Sequence, residues 1–322
     1  MTCIDVHAHY LPPSLIRDAQ EDFPGVSVVE EDGKVRLGKA GQERAFPPAL
    51  ASLDDISAWM DQTRIDGAVL SGWGEIFLHD PVRADAGAWH QRMNERLLED
   101  LDGHDRFVGA PSLPLEDPAA STRLIEQFGS HVRSFTSGAA GIDFSTPALV
   151  DVWQAMADAG TTLILHPEFT CQPVSPRLPM MANLWARTST TTRAMIEMTL
   201  SKAFVAVPDF RVIAVHGGGG LAMVWGRLRR TIQLGDLGDE VLEAARRAIY
   251  VDAVVYEPEL LHTLLTIHGA DRILLGSDAP MPIMDPDPIA TLQRAQLPAE
   301  VYDKITYDNA AQLGLVPAAL QR

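Results

Sequence analysis

Short apolar, β-branched runs alternate along this chain with longer stretches in which apolar positions recur at helical spacing. The first run, Thr2-Cys3-Ile4-Asp5-Val6-His7-Ala8-His9, is followed by Tyr10-Leu11-Pro12-Pro13 and reads as a buried strand feeding a loop. Similar runs predict strands at 67–71, 107–110, 132–135, 161–165, 211–215, 249–251 and 272–275. Between them, helical spacing predicts a helix opening at Ser52 with Asp55 and running through Trp59 and Met60. Further helices are predicted over 84–101, 119–128, 149–159, 192–205, 222–234 and 258–268, with more beginning at Ile289. Eight strands alternating with helices fit a closed α/β barrel, the (β/α)8 or TIM barrel, better than an open doubly wound sheet, which is the structural alternative.

One segment breaks the alternation. Between Pro12 and Pro48, Val26-Ser27-Val28-Val29-Glu30 and Lys34-Val35-Arg36-Leu37 flank Glu31-Asp32-Gly33, a hairpin signal. The stretch 12–48 therefore reads as an irregular insertion laid over one end of the barrel. No repeat, low-complexity tract or long polar linker interrupts the rest, so one domain is expected over 1–322.

Composition narrows the partners more than the fold. With 46% hydrophobic and 21% charged residues the 322-residue chain is of ordinary globular type. Its net charge of −17 argues against nucleic acid or an anionic membrane, and an anionic substrate would need local cations. Cys3 and Cys171 are too few for a disulfide framework or a cysteine-built zinc site. The chain opens on its first strand without a basic, apolar leader, and no stretch approaches the roughly 20 apolar residues of a membrane span. A soluble, cytoplasmic protein is the expectation.

The candidate chemistry lies at the strand ends. His7 and His9 point the same way, because side chains alternate faces along a strand. An isolated His-x-His is equally a pair of polar strand-end residues bonded to backbone. In a barrel, however, the carboxyl ends of all strands line one rim. Reading those ends adds His166 after the fifth strand, His216 after the sixth and Asp278 after the eighth. Five metal-capable side chains on one rim suit a divalent cation such as zinc. His79, His90, His104, His131, His262 and His268 lack this context and read as structural or solvent-facing, His268 as an imidazolium at a helix end. Gly217 to Gly220 lack the spacing of a nucleotide loop and read as a close backbone approach to the pocket. Trp73 and Glu75, after the second strand, are candidates to wall the pocket.

These motifs together resemble the amidohydrolase superfamily, in the branch that contains aminocarboxymuconate semialdehyde decarboxylase. The resemblance rests on His7-x-His9, on Met60-Asp61 through Ile65-Asp66-Gly67-Ala68-Val69-Leu70-Ser71, and on His166-Pro167. It also rests on His216-Gly217-Gly218-Gly219, Gly276-Ser277-Asp278-x-Pro280 and Asp308-Asn309-Ala310. It implies that His7, His9, His166 and Asp278 bind one divalent metal, zinc or alternatively manganese. His216 would stand beside a metal-bound water as acid/base, sharing proton management with Asp278. Three imidazoles and a carboxylate leave a coordination position open. The fourth strand ends Val132-Arg133-Ser134-Phe135-Thr136-Ser137-Gly138, and none of Lys34, Lys39, Lys202 and Lys304 lies there to bridge a second metal, so a mononuclear site is expected.

By the same resemblance Arg227, in Trp225-Gly226-Arg227, is the arginine that a neighbouring subunit contributes to hold a substrate carboxylate, and Arg44 is a second. Trp185 matches a tryptophan that packs on the substrate. The implied activity is non-oxidative decarboxylation of an aromatic or enolic carboxylic acid by a homodimer. Hydrolysis of an amide, lactone or carbon–carbon bond, or hydration of a double bond, is the alternative use of the same site.

Overall fold

The computed structural model describes residues 2–23, 25–77, 86–167, 177–178 and 180–322. The barrel strands are β1 Ile4–His9, β2 Gly67–Ser71, β3 Phe107–Ala110 and β4 Ser134–Ser137. They continue as β5 Thr162–Leu165, β6 Arg211–Ala214, β7 Ile249–Asp252 and β8 Ile273–Leu274. Each pairs in parallel with its successor from β1 to β3 and from β4 to β8. Two seams close the ring. The Val6 amide donates to the Leu275 carbonyl at 2.9 Å, and Thr136 of β4 bridges Ser112, just past β3. The expected (β/α)8 barrel is thus the observed one.

The strands are short and almost wholly buried, only Val108 and Arg211 being partly exposed, because helices cover the outside and side chains fill the inside. Ile4 and Val6, Val69, Ala110, Ile164, Ile213, Tyr250 and Leu274 form one cluster drawn from seven strands, which only a closed ring can bring together. At the amino end of β2, Pro317 and Leu320 of the C-terminal segment lie against Gly67 and seal the floor. Outside the ring, Trp153 stacks on Phe210 at 4.7 Å within the larger core shared by strands and helices.

The insertion is more ordered than its composition suggests. Ser14–Glu21 is a helix, and Ser27–Glu31 pairs antiparallel with Lys34–Gly38 about Asp32 and Gly33, both at positive φ, as the Asp-Gly signal predicts. Arg44–Ala45 adds a third strand. Leu11, Leu15, Phe23, Val26 and Leu37 pack with Trp73, Ile76 and Phe77, so the insertion backs the loop that follows β2.

Three elements depart from the sequence expectation. β4 lies two residues later than predicted, at Ser134–Ser137. An amphipathic helix, Asp239–Ala248, precedes β7. The helix expected over 192–205 begins much earlier, as a wide turn at Ala182–Arg187 and a helix at Thr188–Leu200, and then breaks at Lys202 before Ala203–Ala206. The Thr188, Thr190, Thr191 and Thr192 hydroxyls donate back to carbonyls four residues earlier, so residues of loop-like propensity serve a helix here.

Candidate metal centre and active site

The rim gathers four ligands from three strand ends. His7 and His9 lie on β1, His166 directly follows β5, and Asp278 lies in the turn after β8. One donor atom from each falls within 4.8 Å of all the others, and all four residues are buried. Asp278 Oδ1 is 3.0 Å from His9 Nε2, 3.4 Å from His7 Nε2 and 3.8 Å from His166 Nε2. His216 joins from the side: its Nε2 is 3.5 Å from Asp278 Oδ2, and its ring meets those of His7 and His166 edge-on at 5.0 and 5.2 Å.

Backbone geometry makes this convergence possible. After β6 the chain turns sharply, with His216 at φ 56° and Gly217, Gly218 and Gly219 all at positive φ. A Cβ on Gly219 would sit 2.2 Å from the Thr188 carbonyl oxygen, so only glycine lets the turn press against the helix Thr188–Leu200. The glycine run does make a close backbone approach, but the approach seen is to the helix Thr188–Leu200 and to Val251 and Val255. Asp278, at φ 65°, is pinned by its own amide, which donates to the His7 carbonyl at 2.8 Å.

Behind the ligands lies a layer that orients them. Asp252, the last residue of β7, is fully buried; its Oδ2 is 2.6 Å from His7 Nδ1, and its Oδ1 accepts from the amides of Gly217 (2.8 Å) and Val254 (3.2 Å). His9 Nδ1 meets the Ser71 hydroxyl at 3.0 Å and the Gly72 carbonyl at 3.4 Å. Both imidazoles therefore turn Nε2 toward Asp278, the arrangement of a carboxylate- or carbonyl-backed ligand. Beneath them Asp5 accepts from the Ser277 hydroxyl and the His7 amide; burial pushes its carboxyl up to about 7.

The electrostatics fit a cation. His7 Nε2, both nitrogens of His166 and His216 Nδ1 are buried without a hydrogen-bond partner, a costly state that a metal bound by His7 Nε2 and one His166 nitrogen would relieve in part. Burial holds the His9 and His166 imidazoles below their ordinary range, so both are neutral. Burial pushes Asp278 up, but the ring nitrogens of His166, His216, His7 and His9 that crowd its carboxylate prevail and hold it well below the carboxylate range. At His7 burial opposes the charged ring, yet Asp252 and Asp278 outweigh it and raise the pKa to about 10. A cation would displace that proton. Two neutral imidazoles, an anionic carboxylate and an exchangeable His7 proton make a site for one divalent metal.

A cavity of about 380 Å³ opens beside His9, His166 and Asp278. Its apolar walls include Trp73, Met180, Met281, Pro282 and Ile283; its polar walls are Asn183, Glu75 and Arg187. Arg187 Nη2 donates to Glu75 Oε1 at 2.5 Å and Nη1 donates to the Pro167 carbonyl at 3.0 Å.

The chain brings some sequence candidates together and leaves others apart. Trp73 and Glu75 line the cavity. Arg44 is on the exposed edge of the insertion, outside that lining, where it senses the charges of Glu75 and Arg187. Trp185, 57% exposed, lines a separate apolar groove with Met223, and Arg227 is exposed on that groove's helix, Leu221–Leu234. Within one chain, neither reaches the metal cluster's cavity. His268 corrects an expectation: burial, with Arg246 nearby, lowers its pKa to about 4, so it is neutral. His90 is fully buried against Ser112 and the Phe77 carbonyl. His79, Glu168 and Cys171 lie outside the described residues.

Asp252, Arg187 and Asn183 are site residues that sequence reasoning passed over. Asp252 carries the same signal as Asp278, an acid ending an apolar run, but the strand prediction stopped at Val251. Arg187 and Asn183 belong to the wide turn and have no such mark.

Among known proteins, the family profile described as amidohydrolase matches residues 4–313. A 6-methylsalicylic acid decarboxylase of Penicillium expansum is 26% identical, over 98% of this chain and 97% of that one. A 2-amino-3-carboxymuconate-6-semialdehyde decarboxylase of Dictyostelium discoideum is 25% identical; the match spans 70% of this chain and 65% of the relative. The crystal structure of a dihydroxybenzoic acid decarboxylase from Polaromonas sp. JS666, with bound manganese and the inhibitor 2-nitroresorcinol, superposes with a TM-score of 0.75 at 18% identity, covering 97% of this chain and 96% of that one. With the family profile covering nearly its whole length, this chain belongs to the amidohydrolase family.

Proposed function

We propose that the protein is a metal-dependent, non-oxidative decarboxylase of an aromatic or enolic carboxylic acid. The observation that carries this reading is the cluster of three imidazoles and one carboxylate, with unpartnered buried nitrogens, opening on a largely apolar cavity. His7, His9, His166 and Asp278 would hold the metal. Their three nitrogens and one oxygen suit zinc; manganese, the ion bound in the Polaromonas enzyme, is the alternative. The metal supplies Lewis acidity that polarises the oxygen functions of the substrate.

The chain's own groups do the rest. Trp73, Met281 and Pro282 offer apolar surface to a flat ring. The bond between the substrate carbon and its carboxylate breaks, the electron pair stays on carbon, and carbon dioxide leaves as that carbon takes a proton. His216 holds this proton at Nε2 and passes it through Asp278, which is 3.5 Å away and faces the cavity. Arg227 and Arg44 are the carboxylate-orienting cations of this reading, Arg227 acting from the second copy of a homodimer. The exposed apolar groove at Trp185 and Met223, on the helix that carries Arg227, supports such a contact. Both relatives are decarboxylases by name.

The test is mass spectrometry of products from metal-loaded protein given aromatic and dienoic acids alongside their amides and lactones. Loss of carbon dioxide is expected; gain of water would assign the cluster to hydrolysis or hydration.

A further inference from the structure

We infer that Tyr256 is a positioning residue whose hydroxyl latches the apolar lip of the cavity, Met281 to Ile283, where it receives the ring of an aromatic acid. The nature of that ring rests on the decarboxylase reading. The lip belongs to the segment that leaves the barrel after β8. This segment begins at Asp278, a member of the metal cluster, and ends at Asp285; Met281, Pro282 and Ile283 between them line the cavity. Both ends are anchored. The Asp278 amide donates to the His7 carbonyl at 2.8 Å, and the Asp285 amide donates to the Ser277 carbonyl at 2.9 Å. The buried Asp285 carboxylate also accepts from the Thr291 hydroxyl at 2.7 Å. The middle is held differently, because the Met281 and Met284 amides donate to the carbonyls of Asp278 and Met281, inside the segment itself. Pro282 and Ile283 are exposed, so packing adds little there. Among the described residues, the hydrogen bond that ties this middle to another element runs from the Tyr256 hydroxyl to the Ile283 carbonyl, at 2.9 Å.

Tyr256 holds an unusual backbone in order to make it. Its φ is 63°, and across it the Glu257 amide donates to the Val255 carbonyl at 2.7 Å, the rare and strained hand of a three-residue turn. A bulky residue keeps such a conformation only where its surroundings impose it. Here the helix Pro258–His268 starts directly beyond the turn. Arg294 Nη2 donates to the Tyr256 carbonyl at 3.4 Å and to the Thr291 hydroxyl at 3.0 Å, and Thr291 in turn donates to Asp285. The turn is thereby tied to the fixed end of the lip while the phenol reaches the lip's middle. Burial, with the charges of Asp278, Asp252 and Asp285 nearby, raises the phenol's pKa, so the hydroxyl keeps the proton it donates. Losing this bond should loosen the wall that meets the ring and leave the metal cluster in place, because the Asp278 amide keeps its own bond to His7.

Tyr256→Phe keeps the phenyl group and deletes the latch. In ligand-free protein, deuterium uptake at the Ile283 and Met284 amides, read by mass spectrometry, should quicken about three- to tenfold, the scale of one neutral hydrogen bond. Unchanged uptake would overturn the inference. Calorimetric titration of the zinc-loaded variant should show benzoate bound about three- to tenfold more weakly than by the wild type. Acetate, which carries the carboxylate without the ring, should stay within about 1.5-fold, because the lip touches only the ring. A parallel loss of both acids, or a drop in zinc affinity, would make Tyr256 a general support of the cluster and overturn the inference as well. Quickened uptake in a protein whose zinc-loaded wild type takes neither acid would leave the latch standing and sink the aromatic-acid reading instead.

Discussion

Asp252→Asn tests whether the site depends on a residue that touches no substrate. The carboxylate accepts at three points: His7 Nδ1 at 2.6 Å, Gly217 N at 2.8 Å and Val254 N at 3.2 Å. An asparagine can keep Oδ1 on the two amides, so the turn leading from His216 should stay in place. At the Oδ2 position it presents an NH2 group, which donates to Nδ1 and drives the His7 proton to Nε2, the atom that faces the metal site. The variant loses one charge-assisted hydrogen bond, worth about 1.5–3 kcal/mol, or about 10–100-fold in a binding constant. Outer-shell partners of metal ligands have effects of about that size. The assay is competition for zinc against a chromophoric chelator, with circular dichroism as the control for folding. Zinc affinity within about twofold of wild type would refute the argument, since a ligand with the wrong tautomer cannot bind equally well. Asp252→Ala should do worse, because it also strands two buried amides at about 1–3 kcal/mol each.

Other expectations follow from the same geometry. His216→Asn should lower carbon dioxide release by at least about 100-fold, the usual scale of a lost acid/base group, while leaving metal content by plasma emission spectroscopy unchanged. Gly219→Ala combines an unfavourable positive φ with a clash at the Thr188 carbonyl and should cost at least about 2 kcal/mol; an unchanged melting temperature would contradict the packing described. His268 is neutral in the fold down to about pH 4, whereas in the unfolded chain it gains a proton below about 6.5. Stability should therefore fall as pH drops between those values, by up to about 3 kcal/mol, and His268→Gln should flatten that part of the melting-temperature profile.

Much of the architecture was written locally. Strand-length apolar runs and helical spacing suffice for an eightfold alternation, and the barrel rule then places His7, His9, His166, His216 and Asp278 on one rim, because each ends an apolar run. The Asp-Gly hairpin and the glycine run after His216 were legible for the same reason: positive φ is a one-residue requirement that the residue type announces. Tertiary structure decided what depends on distant partners. The threonine-rich stretch from Thr188 is helical because Thr191, Ala194, Met195 and Met198 bury one face in the fold, with Gly219 packed against its first turn, while the hydroxyls are satisfied by its own carbonyls. Asp252 gains its place only because β7 lies within reach of β1, separated by 245 positions in the chain. Glu75, a wall candidate in sequence, and Arg187, which carries no mark there, are 112 positions apart and form a largely buried ion pair only when the loops after β2 and β5 meet. Periodicity reports which face a residue takes, whereas pairing across a cavity is set by where the ring closes.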